Sequence, residues 1–576
     1  MRAQTRPSPK TLIKTLLLAL GLAFELPEIA ARIVMLGLSP SLLLYAGLYG
    51  GLSVCLWAAA FIRRPLLRWG WAALFALATI VVGTFQDAAA DAMSYDVFVT
   101  MIHSAGFADD ALAQYGMSLA WASAGALFLF AGVGLKPDPR TRLRGLTAAL
   151  APFAGLAMLT LLLFVRGGEG GRGLPNAWVG TAYAALAAYE TATQPSMSRQ
   201  PVKIAHASKR EQGDIVLIVD ESIAGRYLDI NDAAGVRSGL ASPPPGITVS
   251  NFGLAASIAN CSFGSNLTLR YGGTRGAYQR INATMPSIFD YAKQAGFSTI
   301  YIDAQRTGGA YQNGMDDAER QHIDHFFQFD DTPVVDRDMA VADALIAALG
   351  NDRREFILVN KMGAHFPVAD KYPDSAHMFA PALPRDEAVA VTETQLPENL
   401  YSGAESWRLY RNSYRNTVAW TVGGFFDKLF ASARLGNALV IYTSDHGQNL
   451  HERGDSGTTT HCSPSPASEE GSVPLVVIDA SGRWGAAAKR NFDASSHYRI
   501  FPTLLNAMGY DPAAVRRHYG EALDSPARDP VTFNSLFNAR LGRKPIWVKV
   551  ERALVPRPPA RDYVARTCNA LPTNSC

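Results

Sequence analysis

Asp445 and His446 stand directly after the apolar run Asn437-Ala-Leu-Val-Ile-Tyr-Thr-Ser444. An adjacent carboxylate and imidazole supply an oxygen and a nitrogen donor, half of a divalent-metal site. A second carboxylate follows another apolar run: Asp214-Ile-Val-Leu-Ile-Val-Asp220 leads into Glu221-Ser222. Glu221, Asp445 and His446 together form a donor set suited to zinc, with manganese as the alternative ion. Two further histidines flank apolar runs. His365 lies in Lys361-Met-Gly-Ala-His365-Phe-Pro367, after Glu355-Phe-Ile-Leu-Val-Asn360. His461 lies in His461-Cys462-Ser463-Pro464, ahead of Val473-Pro-Leu-Val-Val-Ile478.

Such a site also needs a nucleophile. The stretch Asn260-Cys261-Ser262-Phe-Gly-Ser265-Asn266-Leu-Thr-Leu-Arg270-Tyr-Gly272 begins small and polar and then reads as a helix. A hydroxyl at a helix amino terminus beside a dication is favoured as an anion twice, by the ion and by the helix dipole. Ser262, Ser257 and Cys261 are all open for this role.

These residues meet only if the runs that carry them are strands of one sheet. The runs at 214–220, 298–303, 355–360, 438–442 and 473–478 are apolar, β-rich and separated by longer helix-like stretches. That pattern predicts an α/β domain whose sheet is covered on both faces. In a doubly wound sheet the polar strand ends gather at one edge. Residues 379–400, rich in Pro and Ala, read as a surface loop.

The first 170 residues have a different composition. Apolar stretches at 11–34, 40–61, 70–86, 117–135 and 145–165 predict a transmembrane domain of five helices, since a crossing takes about 20 residues. The first is interrupted by Glu25 and Glu28, and the third is short. Arg2, Arg6, Lys10, Lys14, Arg63, Arg64, Arg68, Lys136, Arg140, Arg142 and Arg144 crowd alternate loops. Asp87, Asp91, Asp96, Asp109 and Asp110 fill the loop between the third and fourth stretches. By the positive-inside rule the amino terminus is cytoplasmic and the large remainder is external, periplasmic in a bacterium. The expected boundaries are 1–166 for the transmembrane domain, 167–210 for a linker, 211–545 for the catalytic domain and 546–576 for a tail. Within the linker, 177–189 could lie at the membrane interface with Trp178, Tyr183 and Tyr189 at headgroup level. A net charge of only +3 gives no case for nucleic-acid binding.

With those motifs in place, the chain resembles the membrane-anchored phosphoethanolamine transferases of the alkaline phosphatase/sulfatase superfamily. The carriers are Ile218-Val-Asp-Glu221-Ser, Lys361-Met-Gly-Ala-His365-Phe-Pro, Tyr414-Arg-Asn-Thr417, Ser444-Asp-His-Gly447 and His497-Tyr-Arg-Ile-Phe-Pro-Thr-Leu-Leu505. The resemblance implies a helical membrane domain followed by an alkaline phosphatase/sulfatase-like α/β/α domain. It implies that Glu221, Asp445 and His446 are metal ligands. His365 and His461 would bind the phosphoryl group or serve the leaving and accepting oxygens, and Lys361 would contact the phosphate.

The sulfatase spacing of nucleophile, serine and glycine fits Ser262, Ser265 and Gly272 and makes Ser262 the expected nucleophile and further metal ligand. The transferases of this family use threonine there. Asn266 stands where sulfatases carry arginine, Gln448 where the transferases carry glutamate, and His451 where they carry glycine. His451 is expected to be a solvated loop residue, with an extra metal or phosphate contact as the alternative.

Cys261 neighbours Ser262 and Cys462 neighbours His461, so a Cys261–Cys462 disulfide is expected if both neighbours face one site. Cys568 and Cys576 are expected to close a small terminal loop in an oxidising compartment.

The reaction so implied moves phosphoethanolamine from phosphatidylethanolamine to a hydroxyl or phosphate of an envelope glycan or glycolipid, such as lipid A, at the bacterial inner membrane. The alternatives are a phosphoglycerol transferase like lipoteichoic acid synthase, a sulfate or phosphate ester hydrolase, and a catalytically inert binding module.

Overall fold

The structure, a computed structural model, describes residues 8–89, 92–103, 108–138, 145–193, 198–207, 213–384, 404–454, 460–463, 465–526 and 528–559. Cys568 and Cys576 lie outside the described residues, as does most of 379–400. The chain divides into two units. One comprises Met1–Ser196 with Asn538–Lys544, the other Met197–Phe537 with Pro545–Cys576.

The first unit is helical: α1 (Pro9–Ala23), α2 (Leu26–Leu36), α3 (Pro40–Ala59), α4 (Pro65–Ala89), α5 (Tyr95–His103), α6 (Ala108–Gly134), α7 (Gly145–Val165) and α8 (Asn176–Thr193). Four helical segments among the described residues are long and apolar enough to cross a membrane: Pro40–Ala59, Pro65–Ala88, Gly116–Gly134 and Gly145–Val165. The first apolar stretch, expected as a fifth, is instead divided between α1 and α2. The break falls at Glu25, whose carboxylate accepts the backbone N–H of Asn176 at 3.2 Å. A buried carboxylate at the amino terminus of α8 satisfies a helix-end donor that has no partner within the helix.

The sequence left α8 between an interfacial helix and a linker, and the structure makes it a core helix of this unit. Trp178 is fully buried and donates to the Leu52 carbonyl at 2.9 Å. Tyr183 is buried and donates to the Met93 carbonyl at 3.1 Å. Of the three aromatics only Tyr189 remains exposed.

The second unit is built on a seven-stranded sheet. Its strands are β1 (Ile215–Asp220), β2 (Thr248–Ala256), β3 (Ser298–Asp303), β4 (His325–Gln328), β5 (Glu355–Asn360), β6 (Leu439–Ser444) and β7 (Ser472–Asp479). The order across the sheet is β2-β7-β6-β1-β5-β3-β4. Strands β6, β1, β5, β3 and β4 are parallel, and β7 is antiparallel to both neighbours. Side chains alternate between two cores. Val216 and Ile218 pack with Ile357 and Val359 on one face. Ile215, Leu217 and Val219 pack with Phe356 and Leu358 on the other. A sheet buried on both faces explains why these strands read as unbroken apolar runs.

The reversal of β7 decides what reaches the site edge. Parallel strands deliver the residues that follow their carboxyl ends. An antiparallel strand delivers the residues that precede its amino end. Residues 460–463 and 465–471 therefore enter beside the ends of β1 and β6. Strand β2 reverses again relative to β7, so Ser257–Ser262 leaves at that same edge. Ala256 pairs with Ser472 at this point.

Candidate metal and nucleophile site

Glu221, Asp445 and His446 are all buried at the ends of β1 and β6, and one donor atom from each lies within 4.8 Å of the others. The turn after β1 is held tightly. Ser222 has a positive φ of 61°, an uncommon conformation that persists only where surroundings enforce it. Its N–H donates to Asp445 Oδ1 at 3.1 Å, its hydroxyl donates to Glu221 Oε1 at 2.8 Å, and its carbonyl accepts from the Tyr414 hydroxyl at 2.7 Å.

His446 is oriented by its far nitrogen. Nδ1–H donates to the Gly447 carbonyl at 2.8 Å, which leaves Nε2 facing the carboxylates. Nε2 lies 3.2 Å from Glu221 Oε1 and 3.8 Å from Asp445 Oδ2. Gly447 is required by close approach, because a Cβ there would meet the Glu469 carbonyl oxygen at 2.2 Å.

The electrostatics are those of a charge trap. Burial and then the charge of Glu221 push the Asp445 carboxyl up to about 7. Burial opposes a charged His446, but the carboxylates of Asp445 and Glu221 raise it to about 9. Burial would raise Glu221 too. The hydrogen bond and charge of His446, with the charge of His365, outweigh it and hold that carboxyl well below the usual range. Asp445 Oδ2 is buried with no hydrogen-bond donor among the described residues. Two carboxylates and an imidazole nitrogen, with one oxygen left unsatisfied, fit a divalent cation, which would take the place of the proton on Nε2.

Ser262 is the first residue of α9 (Ser262–Tyr271). Its Oγ lies 3.3 Å from both carboxylate oxygens of Glu221 and 3.3 Å from His446 Nε2. The two competitors are elsewhere engaged. Ser257 is fully buried and donates to the Ala259 carbonyl at 2.7 Å. Cys261 is joined to Cys462 in a disulfide, with Cα atoms 5.0 Å apart.

His461 stacks on His446, with ring centroids 4.4 Å apart and planes at 23°. His365 Nδ1 hydrogen-bonds the Phe366 carbonyl at 2.8 Å, and its charge acts on Glu221. Both expected histidines thus border the cluster.

Lys361 does not. It is fully buried, with Nζ donating to Asp220 Oδ2 at 2.6 Å and to the Thr421 carbonyl, and 3.6 Å from Asp338 Oδ2. Asp338 in turn accepts the N–H groups of Met362 and Gly363 at 2.8 and 3.0 Å. The lysine pairs with two carboxylates instead of reaching phosphate, because a buried ammonium without an anion would be prohibitively desolvated. His451 is likewise not solvated. It is 3% exposed and packs on Trp407 at a 4.0 Å centroid distance.

One site residue escaped the sequence reading. Gln305, just past β3, donates to Glu221 Oε2 at 3.0 Å and to the Lys361 carbonyl at 2.8 Å, and its own carbonyl oxygen accepts from Gln312. The only available signal was its position two residues beyond the predicted strand that ends at Asp303.

The sulfatase family pattern matches residues 214–510, just over half of the chain. The chain belongs to the sulfatase family. Among curated relatives of this chain, Kdo(2)-lipid A phosphoethanolamine 7''-transferase of Escherichia coli K12 is 27% identical over 272 residues, 44% of each chain. Phosphoethanolamine transferase CptA of Salmonella typhimurium is 26% identical over 249 residues, 40% of each. The chain therefore spans less than half the length of these curated relatives. Among solved structures, the integral membrane lipooligosaccharide phosphoethanolamine transferase A (EptA) from Neisseria meningitidis superposes with a TM-score of 0.61. That match has 17% identity and covers 88% of this chain and 96% of that one. It establishes a shared fold of helical region and sulfatase-like domain.

Proposed function

We propose that this chain is a membrane-anchored phosphotransferase that moves phosphoethanolamine from phosphatidylethanolamine to a hydroxyl or phosphate of an envelope glycolipid of the lipid A class. The observation that carries the reading is the setting of Ser262: a hydroxyl at a helix amino terminus, 3.3 Å from a glutamate and a histidine of a buried metal-capable cluster. The names of the aligned relatives supply the donor headgroup and the acceptor class. The apolar helices fit a membrane-resident donor, with the inner membrane as the site and the sulfatase domain on its periplasmic face.

Glu221, Asp445, His446 and Ser262 would hold the metal, zinc by donor chemistry. When bound it supplies positive charge that neutralises developing negative charge on oxygen. The rest falls to the chain. Ser262 Oγ, in its alkoxide form, attacks phosphorus, forming an Oγ–P bond as the bond from phosphorus to the diacylglycerol oxygen breaks. The same alkoxide is the leaving group in the second half. Diacylglycerol takes a proton from His365 or His461 as it leaves. In the second half the acceptor oxygen gives its proton to a histidine and attacks phosphorus, and the Oγ–P bond breaks to restore Ser262. The α9 amino terminus favours the anionic serine oxygen throughout.

Mass spectrometry of envelope glycolipids from cells with and without the protein tests the reading. A phosphoethanolamine adduct that requires the protein supports it, and no adduct on any acceptor overturns it. Vesicles carrying labelled phosphatidylethanolamine or labelled phosphatidylglycerol separate this donor from a phosphoglycerol donor.

A further inference from the structure

Three loops bring the reacting groups together, and one side chain touches two of them while its own backbone holds the third. Glu470 lies in the 3-10 turn Ser468–Gly471 that precedes β7, and it is 1% exposed. Its Oε2 accepts Asn260 Nδ2 at 3.0 Å and the Ser463 N–H at 3.2 Å. Its Oε1 accepts the Ser463 hydroxyl at 2.7 Å and the Ala467 N–H at 3.3 Å. Its carbonyl accepts the Gly447 N–H at 2.9 Å. Asn260 precedes the Cys261–Ser262 step, Ser463 is two residues past His461, and Gly447 receives the orienting bond from His446 Nδ1.

Two more bonds tie the same loops: Asn260 Nδ2 to the Ser463 carbonyl at 3.0 Å and the Cys462 N–H to the Asn260 carbonyl at 2.9 Å.

We infer that Glu470 is a positioning residue for the transfer reaction. It is a non-covalent latch that fixes Ser262, His446 and His461 relative to one another, in parallel with the Cys261–Cys462 disulfide. This rests on the proposed roles of Ser262 and the histidines. Four neutral donors converge on one buried carboxylate, so its removal takes a partner from all four at once. The disulfide spans the same two loops one residue away on each side. Each restraint therefore limits, without wholly preventing, the motion that opens when the other is absent, and loss of both releases it. A glutamine retains most of the latch, because the Ser463 hydroxyl can rotate to accept from an amide, whereas alanine retains none of it.

The test uses the full-length protein in lipid vesicles and compares Glu470→Ala, Glu470→Gln, the pair Cys261→Ala/Cys462→Ala, and Glu470→Ala combined with that pair. The inference expects kcat for headgroup transfer to fall at least about tenfold in Glu470→Ala with KM within about twofold, and Glu470→Gln to stay within about threefold of wild type, as misplaced reacting groups cost rate more than binding. It also expects the combined variant to lose more than the product of the separate losses, the sign of two restraints on one geometry. A kcat unchanged by Glu470→Ala, equal loss in the alanine and glutamine variants, or a purely multiplicative combination overturns it.

Amide hydrogen exchange over residues 460–463 and 257–263 is the second measurement and needs no activity. Faster exchange in Glu470→Ala supports the latch, and unchanged exchange overturns it. If wild type moves no headgroup, the functional reading fails while exchange still decides the latch.

Discussion

At the scale of single residues the site depends on who faces whom. Ser262→Ala should lower transfer by at least about 10³-fold, as removal of a nucleophile that acts with its neighbours as one unit does. Labelled-headgroup transfer in vesicles is the measurement, and retention of a tenth of wild-type rate would exclude Ser262 as nucleophile. Gln305→Leu should weaken zinc binding by roughly 10- to 100-fold, because outer donors that orient a ligand are worth about that much. Competition with a chromogenic chelator reads this directly, and an unchanged affinity would confine Gln305 to packing.

Glu221, Asp445 and His446 were legible because each directly follows a recognisable strand. Gln305 was not, since a neutral amide two residues beyond a strand looks like any loop residue. Lys361 misled for a related reason. Its distance from the strand end resembled a site residue, but burial against Asp220 and Asp338 is a tertiary fact that no local pattern encodes.

At the scale of elements, His497 connects the 3-10 turn His497–Arg499 to the end of β6 through Thr443, 2.8 Å away. The Thr443 hydroxyl donates to the Pro474 carbonyl at 2.7 Å, so His497 Nε2–H is the donor to Thr443, and Nδ1 is buried without a partner among the described residues. Burial pushes this imidazole down to about 3. An unfolded histidine titrates near 6.5, so the unfolded chain binds the extra proton between those values. Stability contributed by the neutral form is complete above about 6.5 and declines as pH falls toward 3, by up to about 1.4 kcal/mol per pH unit. Thermal unfolding of His497→Gln should show a flatter acid limb than wild type, and identical slopes would assign the acid loss elsewhere.

Five strands were readable as apolar runs, whereas β2 and β4 were not. Strand β2 contains Ser250, Asn251 and Gly253 and shifts register between Asn251 and Leu254, which breaks its periodicity. Strand β4 has four residues at the sheet edge with His325 exposed. The direction of β7 was equally invisible, because an apolar run does not state which way it points.

At the scale of the whole molecule, composition alone separated a membrane part from a part of ordinary globular composition. Its failure lay at Glu25, which turns the first apolar stretch into two helices, and in α8, whose Trp178 and Tyr183 serve a helical core instead of a lipid surface. Amphipathic aromatics look the same in both settings. The Cys261–Cys462 bond, across a sequence separation of 201, closes much of the sulfatase unit into a covalent ring. Ser262, His365, Asp445, His446 and His461 lie within that ring, and Glu221 lies outside it. A single protease cut anywhere between 262 and 461 opens the ring without releasing a fragment. Nicked protein should therefore run as one species on a non-reducing gel and as two after reduction, so cleavage within the ring would be detected only under reducing conditions.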